Sequence, residues 1–265
     1  MPSDVRRFPI RAERHICKNR EAKVGGATEK KVLRDTLGAI IANWRRPSDE
    51  CELVGFSSLK GNKWSGDLMV VGRFVNGWVD KWSIREIVEP GKLEEYLQRV
   101  IGAKYSNAED PVKALNDEIE RSPFWDAVED VARGLNLGDG WTSRIVYSNL
   151  YRFGLDGGNP PAELCTAQRK GCIELLRDEM LEFRPSRILF LTGWEWADKF
   201  LGTEDSLIRF NEVARHRGDL DRIGTISVTS TPIPVVVSRH PQGKSRGPLV
   251  AEILKAFKDL EGRCE

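Results

Sequence analysis

Four aliphatic runs, each broken off by a glycine or a polar side chain, constrain this chain more than any other feature. They are residues 68–72 (LMVVG), 145–149 (IVYSN), 188–193 (ILFLTG) and 235–241 (VVVSRHP). Near-continuous runs of β-branched and aliphatic residues mark strands covered on both faces, as in parallel sheets. In open α/β sheets, ligands bind beyond the carboxyl ends of the strands. Gly72, Asn149 and His240 are therefore expected around one pocket, although they are far apart in the chain.

Helical patterns fill the intervals between these runs. Val32, Leu33, Leu37, Ile40, Ile41 and Trp44 recur at spacings of three and four, which predicts an amphipathic helix over 29–46. A long helix is predicted from Pro160-Pro161 to just before Pro185, with Cys165, Gln168, Arg169, Cys172, Ile173, Leu176, Met180 and Phe183 on one stripe. A last helix is expected over 247–261. Residues 53–56 read as a short strand, and 225–230 and 233–238 as a hairpin or two consecutive strands. The charged stretch 204–222 reads as helical. The segment 73–141 shows helical patterns at 92–101, 111–121 and 124–134 and no evident strand, so it is read as a helical insertion. Alternating strands and helices predict an α/β fold: a three-layer α/β/α sandwich with a mainly parallel central sheet. Residues 1–28 are expected to form a basic N-terminal arm, and 29–265 a single domain.

Composition excludes several classes. With 265 residues, 40% hydrophobic residues, eight Trp and ten Phe, the chain can bury a full core. A net charge of +1 gives no global signature for nucleic acid, although residues 1–35 carry ten Lys/Arg against five Asp/Glu. The five cysteines are scattered and form no C-x-x-C pair, so they read as reduced thiols, with no metal site and no cofactor expected. No run approaches the length of a membrane span, and the N-terminus lacks the apolar core of a secretory signal. A cytoplasmic protein with no membrane partner is the expectation. Phosphate-binding loops of the G-x-x-x-x-G-K-[ST] and G-x-G-x-x-G types, the G-x-S-x-G elbow and H-E-x-x-H are all absent.

Two residues stand out for chemistry. His240 follows a strand and can donate to an oxygen that gains charge as a bond breaks, or can simply satisfy a turn carbonyl. Asn149 offers one acceptor and two donors, suited to a flat amide-like ligand edge or to a structural turn. His15 and His216 lie among charged residues and read as surface. Arg239, Lys244 and Arg246 form a local basic stretch without an acid.

The order VVG at 70–72, SNL at 148–150, NPPAEL at 159–164, PSRILFLTG at 185–193 and SRHP at 238–241 resembles the uracil-DNA glycosylase superfamily over roughly residues 67–260. The resemblance implies that fold and hydrolysis of the N-glycosidic bond of uracil or a related deaminated base in DNA. It implies that Asn149 reads the base edge and that His240 stabilises charge on the leaving base. The first motif, GRFVNGW at 72–78, has Phe74 where a polar residue often stands and no proline after it. It leaves Asn76, or a backbone group near Gly72, to position water, and Phe74 or Trp78 to stack on the base. Trp78 and Trp82 lie four apart, one helical face. After His240-Pro241 come QGKS at 242–245 in place of an apolar wedge, with Arg239, Lys244 and Arg246 available to phosphates. DNA, single- or double-stranded, is the implied partner. The altered first motif leaves a second reading open: a protein of this fold that binds a nucleobase, nucleotide or nucleic acid without excising a base.

Overall fold

The computed structural model describes residues 25–45, 48–74, 81–102, 122–155, 158–202, 207–215, 218–228 and 231–262. Helix α1 (Gly25–Asn43) opens it, followed by strands β1 (Glu52–Gly55), β2 (Leu59–Lys60), β3 (Leu68–Phe74) and β4 (Trp82–Ser83). Helices α2 (Ile84–Ile87), α3 (Lys92–Gly102) and α4 (Pro123–Gly134) come next, then a 3-10 turn (Trp141–Arg144), β5 (Ile145–Tyr151) and β6 (Phe153–Leu155). The remainder is α5 (Ala162–Phe183), β7 (Ile188–Leu191), α6 (Trp194–Leu201), β8 (Arg209–Ala214), β9 (Leu220–Ser227), β10 (Ile233–Ser238) and α7 (Arg246–Glu261).

The protein is mixed α/β. Its main sheet has seven strands in the order β2-β5-β3-β7-β10-β9-β8. The four aliphatic runs are the central strands β5, β3, β7 and β10, all mutually parallel. The flanking strands β2, β9 and β8 each pair antiparallel with their neighbours, so the sheet is mixed and only its centre has the expected parallel character. From β3 the chain moves to β5 on one side, then returns to β7 and β10 on the other. The gap between β3 and β7 is therefore the topological switch point, where open α/β sheets bind ligands.

Helices cover both faces of this sheet. On one, Phe124, Trp125, Val128 and Val131 of α4 and Leu249, Ile253 and Phe257 of α7 pack on Val70, Tyr147, Leu191 and Val236. On the other, Cys172, Leu176 and Met180 of α5 and Ala197 and Phe200 of α6 pack on Val71, Val146, Phe190 and Val237. A second, three-stranded antiparallel sheet, β4-β1-β6, shares a third core with α1, α2 and α3. No helix among the described residues is long and apolar enough to cross a membrane.

Several boundaries differ from expectation. The stretch 204–222 contains strand β8 and the start of β9, with no helix among its described residues. β8 is an edge strand exposed along most of its length, so it lacks the apolar alternation that reveals a half-buried strand. The segment 73–141 contains a strand after all: β4 pairs with β1, and Trp82 is buried there in extended backbone instead of on a helix. Two residues are too few to carry a periodic signal. The expected helices at 92–101 and 124–134 correspond to α3 and α4, whereas 111–121 lies outside the described residues. Helix α1 starts at Gly25, inside the stretch assigned to the arm, whose residues 1–24 are also outside the described ones. β9 and β10 form the antiparallel pair expected of a hairpin.

Candidate functional site

Asn149 is paired in register with Gly72 inside the sheet and is fully buried. β5 continues two residues past it, so Asn149 is a strand residue instead of a strand end. Its Oδ1 accepts a hydrogen bond from the Tyr147 hydroxyl at 2.9 Å. Its Nδ2 meets no hydrogen-bond partner among the described residues. Buried amide donors are almost always paired, so this Nδ2 is a donor available to a ligand. Gly72 makes the arrangement possible: a Cβ there would meet Asn149 Oδ1 at 2.5 Å and the Tyr147 oxygen at 2.8 Å. Burial pushes the Tyr147 pKa up, so the hydroxyl keeps its proton and donates it to Asn149.

His240 follows β10 and is half-buried. The Gln242 backbone N–H donates to its Nδ1 at 3.3 Å, which leaves the proton of a neutral ring on Nε2. Burial first, and then the nearby Arg73 charge, push its pKa down from 6.5 to about 4. At neutral pH the ring is thus an uncharged donor. Its face lies 6.0 Å from the Phe124 ring, which in turn stands 5.7 Å from Tyr147. Phe124 therefore links His240 to the Tyr147–Asn149 pair on one face of the sheet.

Beyond the ends of β3, β7 and β10, at the switch point, opens a pocket of about 340 Å³ lined by Arg73, Glu195, Arg239, His240, Gln242 and Lys244. Arg73 Nε donates to Thr192 O at 2.6 Å, bridging the ends of β3 and β7. Its guanidinium stacks 5.4 Å from the Trp196 ring and reaches Glu195 at 3.3 Å. Arg239 faces Asp221 at 3.4 Å and Lys244 faces Asp219 at 3.5 Å. Arg246 does not line the pocket: it holds Asp126 and Asp130 of α4 at 3.1 and 2.9 Å, tying α7 to α4.

Of the residues singled out in the sequence, Gly72 and Asn149 meet inside the sheet and do not line the pocket, whereas His240, Arg239 and Lys244 do. Phe74 turns away, packing its ring 6.0 Å from Trp196 against the α5–α6 side. Asn76 and Trp78 lie outside the described residues. Four residues were not legible as site members: Tyr147, Phe124, Arg73 and Glu195. Tyr147 had a usable signal, since a strand places residues i and i+2 on one face and so sets it beside Asn149. No cluster of His, Cys, Asp or Glu suited to a metal occurs among the described residues. Burial pushes the Cys172 thiol up to about 12, which makes it a core group instead of a nucleophile.

No family model matches the chain, and no curated protein matches it. Among solved structures, a domain of unknown function (DUF1537) from Bordetella bronchiseptica, a domain-swapped dimer with bound citrate, is similar at 12% identity and a TM-score of 0.33. The match covers 72% of this chain and 41% of the other, so the chain spans less than half the length of that structure. A likeness this slight carries no argument about function.

Proposed function

We propose that this protein is a DNA glycosylase of the uracil-DNA glycosylase type, built as the three-layer sandwich of that family, which hydrolyses the N-glycosidic bond of uracil or a related deaminated base. The observation that carries the reading is the neutral His240 ring, with Nε2–H as its free donor, on the same sheet face as the orphan Nδ2 of Asn149. Both present donors, and a 2,4-dioxopyrimidine presents two carbonyl acceptors. A flipped base would accept from Asn149 at one carbonyl and from His240 at the other. As the bond from the base nitrogen to sugar C1′ breaks, the base leaves as an anion and His240 stabilises the growing charge. Water adds to C1′ and its proton goes to solvent or to the departing base. Phe124, beside His240, supplies the aromatic wall, and Asn76 remains the candidate for positioning water.

The test is incubation with uracil-containing single- and double-stranded oligonucleotides, followed by alkaline cleavage of abasic sites. Cleavage lost in both Asn149→Ala and His240→Ala is the expected result. No cleavage at high protein concentration sinks the reading. A second reading, binding without excision, is favoured by Asp219 and Asp221, which sit against the cations of the rim and oppose a DNA backbone. It predicts affinity for nucleobase or nucleotide with no abasic product.

A further inference from the structure

Arg73 has no task in the chemistry above, yet it is the most firmly held cation of the pocket. Thr192 O fixes its Nε, and Trp196 covers one face of its guanidinium. Its counterion is far less constrained. Glu195 is 65% exposed where Arg73 is 22%, and the two meet at 3.3 Å in a single contact. Exposed pairs of this kind hold weakly. The Glu195 carboxylate also folds back on Gly193, so closely that a Cβ there would meet both its oxygens at 2.5 Å. The remaining described lining residues are Arg239, Lys244, His240 and Gln242; Arg239 and Lys244 already face Asp221 and Asp219, which lie outside the lining, so Arg73 is the lining cation whose partner is the exposed Glu195. Among the described residues, no aromatic or aliphatic side chain lines it to receive a base.

We infer that this outer pocket is a phosphate site in which Arg73 is the anchor and Glu195 its resting counterion, displaced when a phosphate group enters. The planar fork of an arginine matches two phosphate oxygens, and a carboxylate in the same place mimics that geometry. The inference rests on the nucleotide reading above and deepens it: the base points inward to Asn149 and its phosphate lies outside, on Arg73.

The test measures binding of inorganic phosphate, dUMP and a short single-stranded uracil oligonucleotide to the full chain by calorimetry at low salt. Glu195→Gln, at an exposed position, is expected to tighten phosphate and dUMP about two- to fivefold by removing the competing charge. Arg73→Met is expected to weaken all three about tenfold or more, with Arg73→Lys in between because it keeps the charge and loses the fork. Loss of dUMP binding alone in Arg73→Met identifies a free nucleotide as the source of the phosphate, and loss of oligonucleotide binding as well identifies DNA; either supports the site. Unchanged or weaker binding in Glu195→Gln overturns the displacement. Wild-type affinity in Arg73→Met, or no binding of any of the three probes, overturns the site. A chain that binds phosphate through Arg73 and never releases uracil keeps this inference and removes only the glycosylase one.

Discussion

The absence of a methyl group at Gly72 lets Asn149 sit where it does. Gly72→Ala would push a carbon against Asn149 Oδ1 and the Tyr147 oxygen, both held inside packed strands. Such overpacking costs about 1–3 kcal/mol, visible as a lower denaturation midpoint, and any ligand contact of Asn149 should be lost with it. An alanine variant of unchanged stability would show that the amide moves aside freely. At His240 the prediction concerns protons. In the unfolded chain this ring takes up a proton near 6.5, but in the folded protein only near 4. Stability from this group is therefore complete above pH 6.5 and declines as pH falls toward 4. An NMR titration of the ring protons, with His240→Asn to assign the signal, should give a midpoint well below 6.5. A midpoint near 6.5 would mean the ring is solvated and charged in weak acid.

At the level of elements, the most telling feature is where the chain leaves the large sheet for the small one, between β5 and β6. Gln168 of α5 stands in for a missing ladder partner: its Oε1 accepts from the Arg152 and Phe153 N–H groups at 3.1 and 3.0 Å, and its Nε2 donates to Phe153 O at 2.7 Å. Beside it, Arg152 is fully buried and pairs with Glu179 at 2.8 Å, while Ser148 donates to the same oxygen at 2.6 Å. Glu179→Leu would strand the buried cation and cost about 3–5 kcal/mol in denaturant unfolding. Adding Arg152→Met to that variant should restore most of the loss, because two apolar side chains leave no charge to solvate. A double variant as unstable as the single one would show that packing, and not the ion pair, holds the junction. The stripe placed Gln168 on the inner side of α5, but its partners and the burial of Glu179 were not legible beforehand, because only tertiary structure says which polar residues have buried partners. Long periodic elements were legible because α1, α5, α7 and the four central strands each bury a repeating pattern. Edge strand β8 and two-residue β4 were not, since exposure and brevity erase the period. The same reason separates the site residues. Asn149 and His240 are polar residues next to strong apolar runs and so announce themselves, whereas Phe124 looks like any core aromatic at a helix start until the fold sets it against His240.

Across the whole molecule, charge is distributed in a way that separates two kinds of binding. Residues 1–24 hold seven Lys/Arg and three Asp/Glu, a surplus of four. The full chain carries +1, so residues 25–265 carry a net −3. Around the site the pattern is one of matched pairs, Arg239 with Asp221, Lys244 with Asp219 and Arg246 with Asp126 and Asp130. A body of this charge gives a DNA backbone little long-range attraction, and the local cations are largely neutralised before DNA arrives. Oligonucleotide affinity should therefore draw on the first 24 residues as well as on the pocket, and single-phosphate affinity on the pocket alone. Removing residues 1–24, which stops short of α1, is expected to weaken oligonucleotide binding and flatten its dependence on salt. Four net charges at about 0.7 per neutralised phosphate on a single strand predict a log–log slope shallower by about 3. Affinity for inorganic phosphate and dUMP should be unchanged by the same deletion. If the shortened chain binds oligonucleotides with the original slope, the contacts to the backbone lie on the folded body, and the carboxylates at the rim must give way to DNA.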